Sequence, residues 1–181
     1  MPSSPVFWAV CALLLFWAVG AYNRLVRLRS AVVQAFGGLD AHLVRLMAML
    51  AECDAAHAAA HAAAQGAVAG ARKALQAAAT QFGASLAVAR ARPLQPDTAA
   101  ALAAGRDVLD AAWQSLLRTR EDEDGPAAVA PWRQQWEEHQ AQSRLALQQF
   151  NDAVAQYNAA IAQFPPRLLA WLFGFKPARP L

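Results

Sequence analysis

The sequence predicts an all-α protein: an N-terminal single transmembrane helix followed by an elongated up-and-down bundle of three or four helices. Three observations predict it. Residues 1–23 carry no charged side chain, and Val6 to Tyr22 form an almost purely apolar run. The remainder is rich in Ala, Leu, Gln and Arg and poor in β-branched residues, a strong helix bias. Large apolar side chains then recur in alternating steps of three and four, the period of a helix packed along one stripe.

Within the anchor expected over 1–22, the apolar run Val6 to Tyr22 covers roughly 25 Å as a helix, against a hydrocarbon core of about 30 Å. Trp8 and Tyr22 lie near its ends, where amphipathic rings favour the headgroup region. A cleaved signal peptide is the rival reading. It normally needs a basic segment ahead of the apolar core, which residues 1–5 lack, and Ala18-Val-Gly-Ala21 matches a cleavage site only loosely. Arg24, Arg27 and Arg29 follow the run and no basic side chain precedes it. The positive-inside rule therefore puts the N-terminus outside and the body in the cytoplasm. Cys11 sits in the span and Cys53 far along the next helix, so no disulfide between them is expected.

The body spans 23–165, with helices expected over about 23–91, 97–119 and 128–164. In the first, Leu25, Leu28, Val32, Phe36, Leu39, Leu43, Leu46, Leu50 and Cys53 form the stripe. Gly37-Gly38 interrupts propensity but not pattern, suggesting close packing or a mild bend. The alanine-rich continuation has few large anchors, so a break there would supply a fourth bundle segment. Arg92-Pro93 and Gln95-Pro96 end this helix, and Asp97 or Thr98 can cap the next. Its stripe is Leu102, Leu109, Trp113 and Leu116. Glu121-Asp-Glu-Asp-Gly-Pro126 reads as a solvated acidic loop. The last long helix carries Trp132, Trp136, His139, Ser143, Ala146, Phe150, Val154, Tyr157, Ile161 and Phe164, and Pro165-Pro166 stop it.

The segment 166–181 is short, apolar and basic. Arg167 to Lys176 cannot span, but its aromatic residues between two cations suit a membrane surface or the end of the bundle. An even number of long helices would return it to the bilayer; an odd number would not. Residues 23–96 hold eight Lys/Arg against three acids, residues 97–165 five against ten, and the tail three basic residues with no acid. Basic flanks of a span suit an anionic leaflet. No long basic face emerges, so nucleic acid is not an expected partner.

No glycine loop for phosphate, Gly-x-Ser-x-Gly or Cys-x-x-Cys occurs, so neither a catalytic residue nor a cofactor is expected. His57 and His61 stand i, i+4 with Asp54 one turn earlier, the one arrangement with metal-ligand spacing; no His-Glu-x-x-His accompanies it. Asn151 and Asn158, seven apart on one helix face, fit amides that set register or satisfy backbone groups, and Asp40 falls beside the stripe. Tyr157 is expected in the core with its hydroxyl bonded.

Two segments together resemble the LemA family. Tyr22-Asn-Arg-Leu-Val-Arg-Leu-Arg29, with Ala35-Phe-Gly-Gly-Leu-Asp40 and Leu43, resembles that family's opening, including Asn23, Leu25 and Val26. Phe150-Asn-Asp-Ala-Val-Ala-Gln-Tyr-Asn158, Ile161, Phe164-Pro165 and Leu172-Phe-Gly-Phe-Lys176, including Phe173, Gly174 and Phe175, is the stronger match. The resemblance implies a membrane-anchored bacterial helical bundle of the inner membrane, without a catalytic site. It covers the two ends, while the middle matches only as alanine-rich helix. The family's Arg-Arg-x-Asp-Leu-Ile-Pro-Asn-Leu stretch is replaced here by Val44 to Cys53, in which Arg45 remains but Ala48 and Ala51-Glu52 stand for the Asp and the Pro-Asn pair. Leu147 replaces an expected arginine. The expected role is a non-enzymatic interaction or scaffold protein with unidentified protein partners; alternatives are a bilayer-organising or envelope-stress protein, or a metal-binding protein using His57 and His61.

Overall fold

A computed structural model describes residues 5–60 and 66–181. Five helices follow in order: α1 Pro5–Ala60, α2 Ala67–Ala91, α3 Pro96–Asp124, α4 Pro126–Ala162 and α5 Pro166–Leu172. Four long helices run up and down behind the apolar segment, as the apolar stripes require.

The helix expected over 23–91 divides in two, and its first part is continuous with the apolar N-terminal run. α1 has 56 residues, about 84 Å of rod. Alanine gives the chain between the two parts good propensity but no bulk to pack. The stripe of α1 is buried chiefly against α4, and α2 folds back to pack on α3. Gly66 heads α2 at φ 106°, a conformation that side chains with a Cβ rarely adopt.

Ion pairs between the two helices set their antiparallel register. Arg72 chelates the Asp54 carboxylate, its Nη2 donating to Oδ2 at 3.1 Å, and Gln76 donates to the same oxygen at 2.9 Å. Arg90 Nε donates to Asp40 Oδ1 at 2.8 Å nearer the other end. On α3, Gly105 faces Phe82, where an added Cβ would touch the ring at 3.4 Å. Trp113 stacks on Trp136 at 5.0 Å between α3 and α4, and Phe36 meets Phe150 edge-on at 5.9 Å between α1 and α4. α1 packs chiefly on α4 and α2 chiefly on α3; the seams between these pairs are thinner.

The stripes are buried nearly as spaced: Leu25, Val32, Phe36, Leu39, Leu43, Leu46, Leu50 and Cys53 on α1, and Leu102, Leu109, Trp113 and Leu116 on α3. Leu28 is half-buried. On α4, Trp136, Ser143, Ala146, Phe150, Val154, Tyr157 and Ile161 are buried, but Phe164 is 80% exposed because α4 has already ended.

Three local expectations are corrected. Gly37 and Gly38 face open space within an unbroken helix, so close packing does not account for them. The acidic run is helical to Asp124, and Gly125 at φ 84° is the single joint before Pro126. Carboxylates at a helix C-terminus oppose its dipole, but Arg133 donates to Glu121 at 2.7 Å and Arg120 approaches Asp124 at 3.7 Å. Thr98 does not accept from the helix start. Its hydroxyl donates back to the carbonyls of Arg92 and Gln95, both at 2.8 Å, closing the α2–α3 turn.

Replacing Phe150 with Ala is expected to cost about 3–5 kcal/mol, read as a shift in the helix-monitored unfolding midpoint. Gly37→Ala should be neutral or stabilise by up to about 1 kcal/mol, and a destabilisation would restore the close-packing reading.

The Asp54 carboxyl is held below its ordinary range first by the Arg72 hydrogen bonds. A depressed folded pKa means that this contact stabilises the fold above the ordinary carboxylate value and stops doing so as pH falls through the folded one. Stability profiles of wild type and Asp54→Asn, compared from pH 7 to pH 2, should therefore converge at the acid end. Parallel profiles would remove this assignment.

Candidate functional site

The apolar segment of α1 meets the requirements of a span by length and composition. Its side chains face outward all round, Phe16 at 83% and Leu13 at 71% exposure, and among the described residues nothing buries them. A core helix of a soluble domain would instead be covered. The body begins where this exposure ends, at Leu25.

At that level the chain returns. α4 runs antiparallel to α1, so Ala160 near its end lies beside Arg24 and Leu25, and α5, starting at Pro166, packs against both helices. α5 buries Ala170 and exposes Leu168, Trp171 and Leu172, with Trp171 at 83%. It ends in a Schellman motif. Gly174, at φ 70°, donates to the Trp171 carbonyl at 3.3 Å, and the Phe175 N–H reaches the Ala170 carbonyl at 2.8 Å. The glycine is needed for that left-handed turn. The turn sets Phe173 and Phe175 around Tyr22, with ring centroids at 4.9 and 6.0 Å.

From Phe175 the chain runs back along α4 in extended form. Tyr157 donates its hydroxyl to the Lys176 carbonyl at 2.9 Å. Asn158 donates to the Ala178 carbonyl at 2.8 Å and accepts from the Ala178 N–H at 2.9 Å. Asn151 does the same for Leu181, both bonds at 2.9 Å. The match is geometric: seven helical residues rise about 10.5 Å, and three extended residues cover about 10 Å. Pro177 and Pro180 precede the paired residues and present no N–H of their own. Burial raises the Tyr157 pKa, against the pull of Arg29, so its phenol stays a neutral donor at neutral pH.

The structure thus joins Tyr22 to Phe173 and Phe175 around the Gly174 turn, and sets Tyr157, Asn158 and Asn151 successively along the tail that follows. It leaves others apart: Asn23, Val26 and Phe164 are exposed, Asp40 pairs with Arg90, Leu25 and Phe150 are core, and Pro165 precedes α5. Asp54 is engaged by Arg72 and Gln76, His57 is buried, and His61 lies outside the described residues. Among the described residues no group of three or more His, Cys, Asp or Glu is placed to hold a metal ion. Cys53 is buried and its thiol is pushed up to about 11 by burial, with Arg120 opposing the shift.

Sequence reasoning misses one feature, a cavity between the helix pairs with Arg106, Asp110, Gln140 and Arg144 at its opening. The signal was present as a polar row at i, i+4 and i+8 over Arg106, Asp110 and Gln114, beside the apolar stripe of α3. No family model, curated protein or solved structure matches this chain.

The asparagine ladder makes a direct prediction for hydrogen exchange. The Ala178 and Leu181 amides should be protected in the full chain. Asn158→Ala with Asn151→Ala should raise their exchange at least about tenfold, each lost bond being worth about 1 kcal/mol or more, with the α4 amides unchanged.

Proposed function

We propose that this chain is a single-pass, non-enzymatic interaction protein of the bacterial inner membrane, a divergent LemA-like member. Its N-terminus is outside and its bundle in the cytoplasm. One observation carries the reading: an apolar helix that none of the described residues covers runs unbroken into the buried stripe of the first bundle helix. Such a rod holds the body at a fixed height and angle to the bilayer, as a scaffold requires. The arginines at 24, 27 and 29 directly after the span support the orientation. The two segments with LemA-like sequence, 22–43 and 150–176, meet at the membrane end of the bundle, where Tyr22 packs on Phe173 and Phe175. That convergence supports a shared surface for protein partners.

The exposed face of α5 supports a second reading of the same region, a bilayer-surface contact by residues 167–176. Leu168, Trp171 and Leu172 stand where the span enters the body, and Arg167 and Lys176 flank them. An interfacial segment has this composition. The two readings are compatible, since a partner on the membrane would meet the protein at this level.

A nitroxide at Trp171→Cys, in a Cys11→Ser chain reconstituted in bilayers, should be accessible to oxygen and shielded from a water-soluble nickel chelate. The same label at Glu138 should show the opposite. Equal nickel access at both positions would eliminate the second contact. Neighbours crosslinked to this end of the bundle in native membranes would identify the partner, and a C-terminal reporter active only outside the cell would overturn the orientation.

A further inference from the structure

The two tight helix pairs do not close completely on each other. Between them lies a cavity of about 570 Å³, within the range of small-molecule sites. Its floor is apolar and drawn from all four helices: Leu39 and Leu43 of α1, Phe82 of α2, Leu102 of α3 and Trp136 of α4. Its opening is charged. Helix bundles commonly place ligand sites in such a core, between facing helices.

Arg106 is the informative residue. It is half-buried, and one of its guanidinium nitrogens donates to Gln140 Oε1 at 2.7 Å. Burial withdraws water from the charge, and Arg144 on the facing helix adds a like charge, while Asp110 and Asp107 oppose both effects. Among the described residues no carboxylate forms an ion pair with Arg106 or Arg144. A desolvated guanidinium beside a second one is a site for an anionic group, preferably a planar carboxylate that can take two N–H bonds.

The rest of the opening excludes a simple anion. Asp107, Asp110 and Glu137 line the same mouth and are likewise without an ion pair among the described residues. They would repel an unaccompanied anion and attract a cation. The depth excludes a lipid headgroup. Leu39 stands seventeen residues beyond Tyr22, roughly 25 Å further along the helix. That last step rests on the membrane reading above; the cavity and its charges do not.

We propose that this cavity binds a small zwitterion with an apolar body, the chemical class of apolar amino acids and short peptides. The carboxylate sits on Arg106 and Arg144. The ammonium faces Asp110 and Glu137, and the side chains lie on Trp136, Phe82 and Leu102. Each charged pole of the opening then has a partner of opposite sign, and the floor is covered by apolar surface.

The test uses the full chain in lipid nanodiscs and calorimetric titration with leucyl-leucine. Parallel titrations use N-acetyl-leucyl-leucine, leucyl-leucine amide, octanoate and inorganic phosphate. Leucyl-leucine is expected to bind, and loss of either of its charges should weaken binding about tenfold or more, about 1.4 kcal/mol per tenfold. Arg106→Gln should weaken leucyl-leucine and remove most of its advantage over leucyl-leucine amide, whose own affinity should be nearly unchanged. Asp110→Asn should act on the ammonium end in the same manner. Thermal melts of both variants distinguish lost binding from lost folding, and an Ala103→Phe chain that still melts normally should bind nothing. Octanoate or the N-acetyl peptide binding as tightly as leucyl-leucine would overturn the zwitterion assignment. Absence of heat with every probe at millimolar concentration, from a chain that melts normally, would overturn the site. A failed membrane reading would show instead in nickel access at position 171, leaving these titrations interpretable.

Discussion

The other elements all depend on α1 running without a break from an exposed apolar segment into a buried stripe. Its first part is apolar on every side, and from Leu25 onward it is apolar on one stripe. A lipid core would satisfy the first part because an α-helix bonds all its own backbone groups. The second part is satisfied only if other helices cover the stripe. Because the two parts form one rod, the helices that cover the stripe are fixed in height against the exposed segment. α4 has the longest seam with α1 and runs antiparallel to it, so its end must come back to Tyr22. The break before α2 follows from the same requirement. With an even number of long helices the last returns to the exposed segment, and α2, beginning after Gly66, makes the number even.

The bundle is then two firm pairs joined by weaker seams. Large side chains lie within the pairs: Phe36 on Phe150 for α1 and α4, and Phe82 against Gly105 for α2 and α3. Fully burying each such side chain is worth about 1.5–3 kcal/mol. The links between pairs are mostly polar and partly exposed, as for Asp40 with Arg90 and Arg106 with Gln140, where each contributes about 0–1 kcal/mol. Trp113 on Trp136 is the large apolar exception. Burial therefore holds the pairs together, and the polar links fix how one pair sits on the other. A space at the junction is a natural consequence of that division.

What could be read from the sequence follows the same division. The stripes were legible because large apolar residues at steps of three and four have one efficient use. Asn151 and Asn158 were legible as amides meeting backbone groups, although their partners lie about twenty to thirty residues away in a tail that carries no periodicity. The reversal before α2 was not legible as a certainty, since alanine favours a helix equally whether it continues or turns back. The acidic run misled for a related reason. Clustered carboxylates read as a loop when considered alone, and Arg133, which holds Glu121 within a helix, is distant in sequence and close only after folding. Phe164 kept the rhythm of the stripe but fell beyond the last turn of α4. The cavity was illegible because its charged residues would serve an ordinary solvated face equally well. Only the incomplete closure of the pairs gathers them around one opening.

The tail links the two regions with functional candidates. Phe173 and Phe175 hold Tyr22 at the end of the apolar segment, and Leu181 lines the cavity at the other. The eight residues between positions 173 and 181 extend roughly 26 Å, close to the rise from Tyr22 to Leu39 along α1. The asparagine ladder fixes this span in register, because a slip of one residue would put Pro177 or Pro180 opposite an asparagine carbonyl and leave it without a donor. That constraint explains why a Gly-ended turn, two aromatic rings, two prolines and two heptad-spaced amides occur together in one short stretch of structure. Each alone is a common feature. Together they hold a cavity wall at a set distance from the Tyr22 end of the bundle.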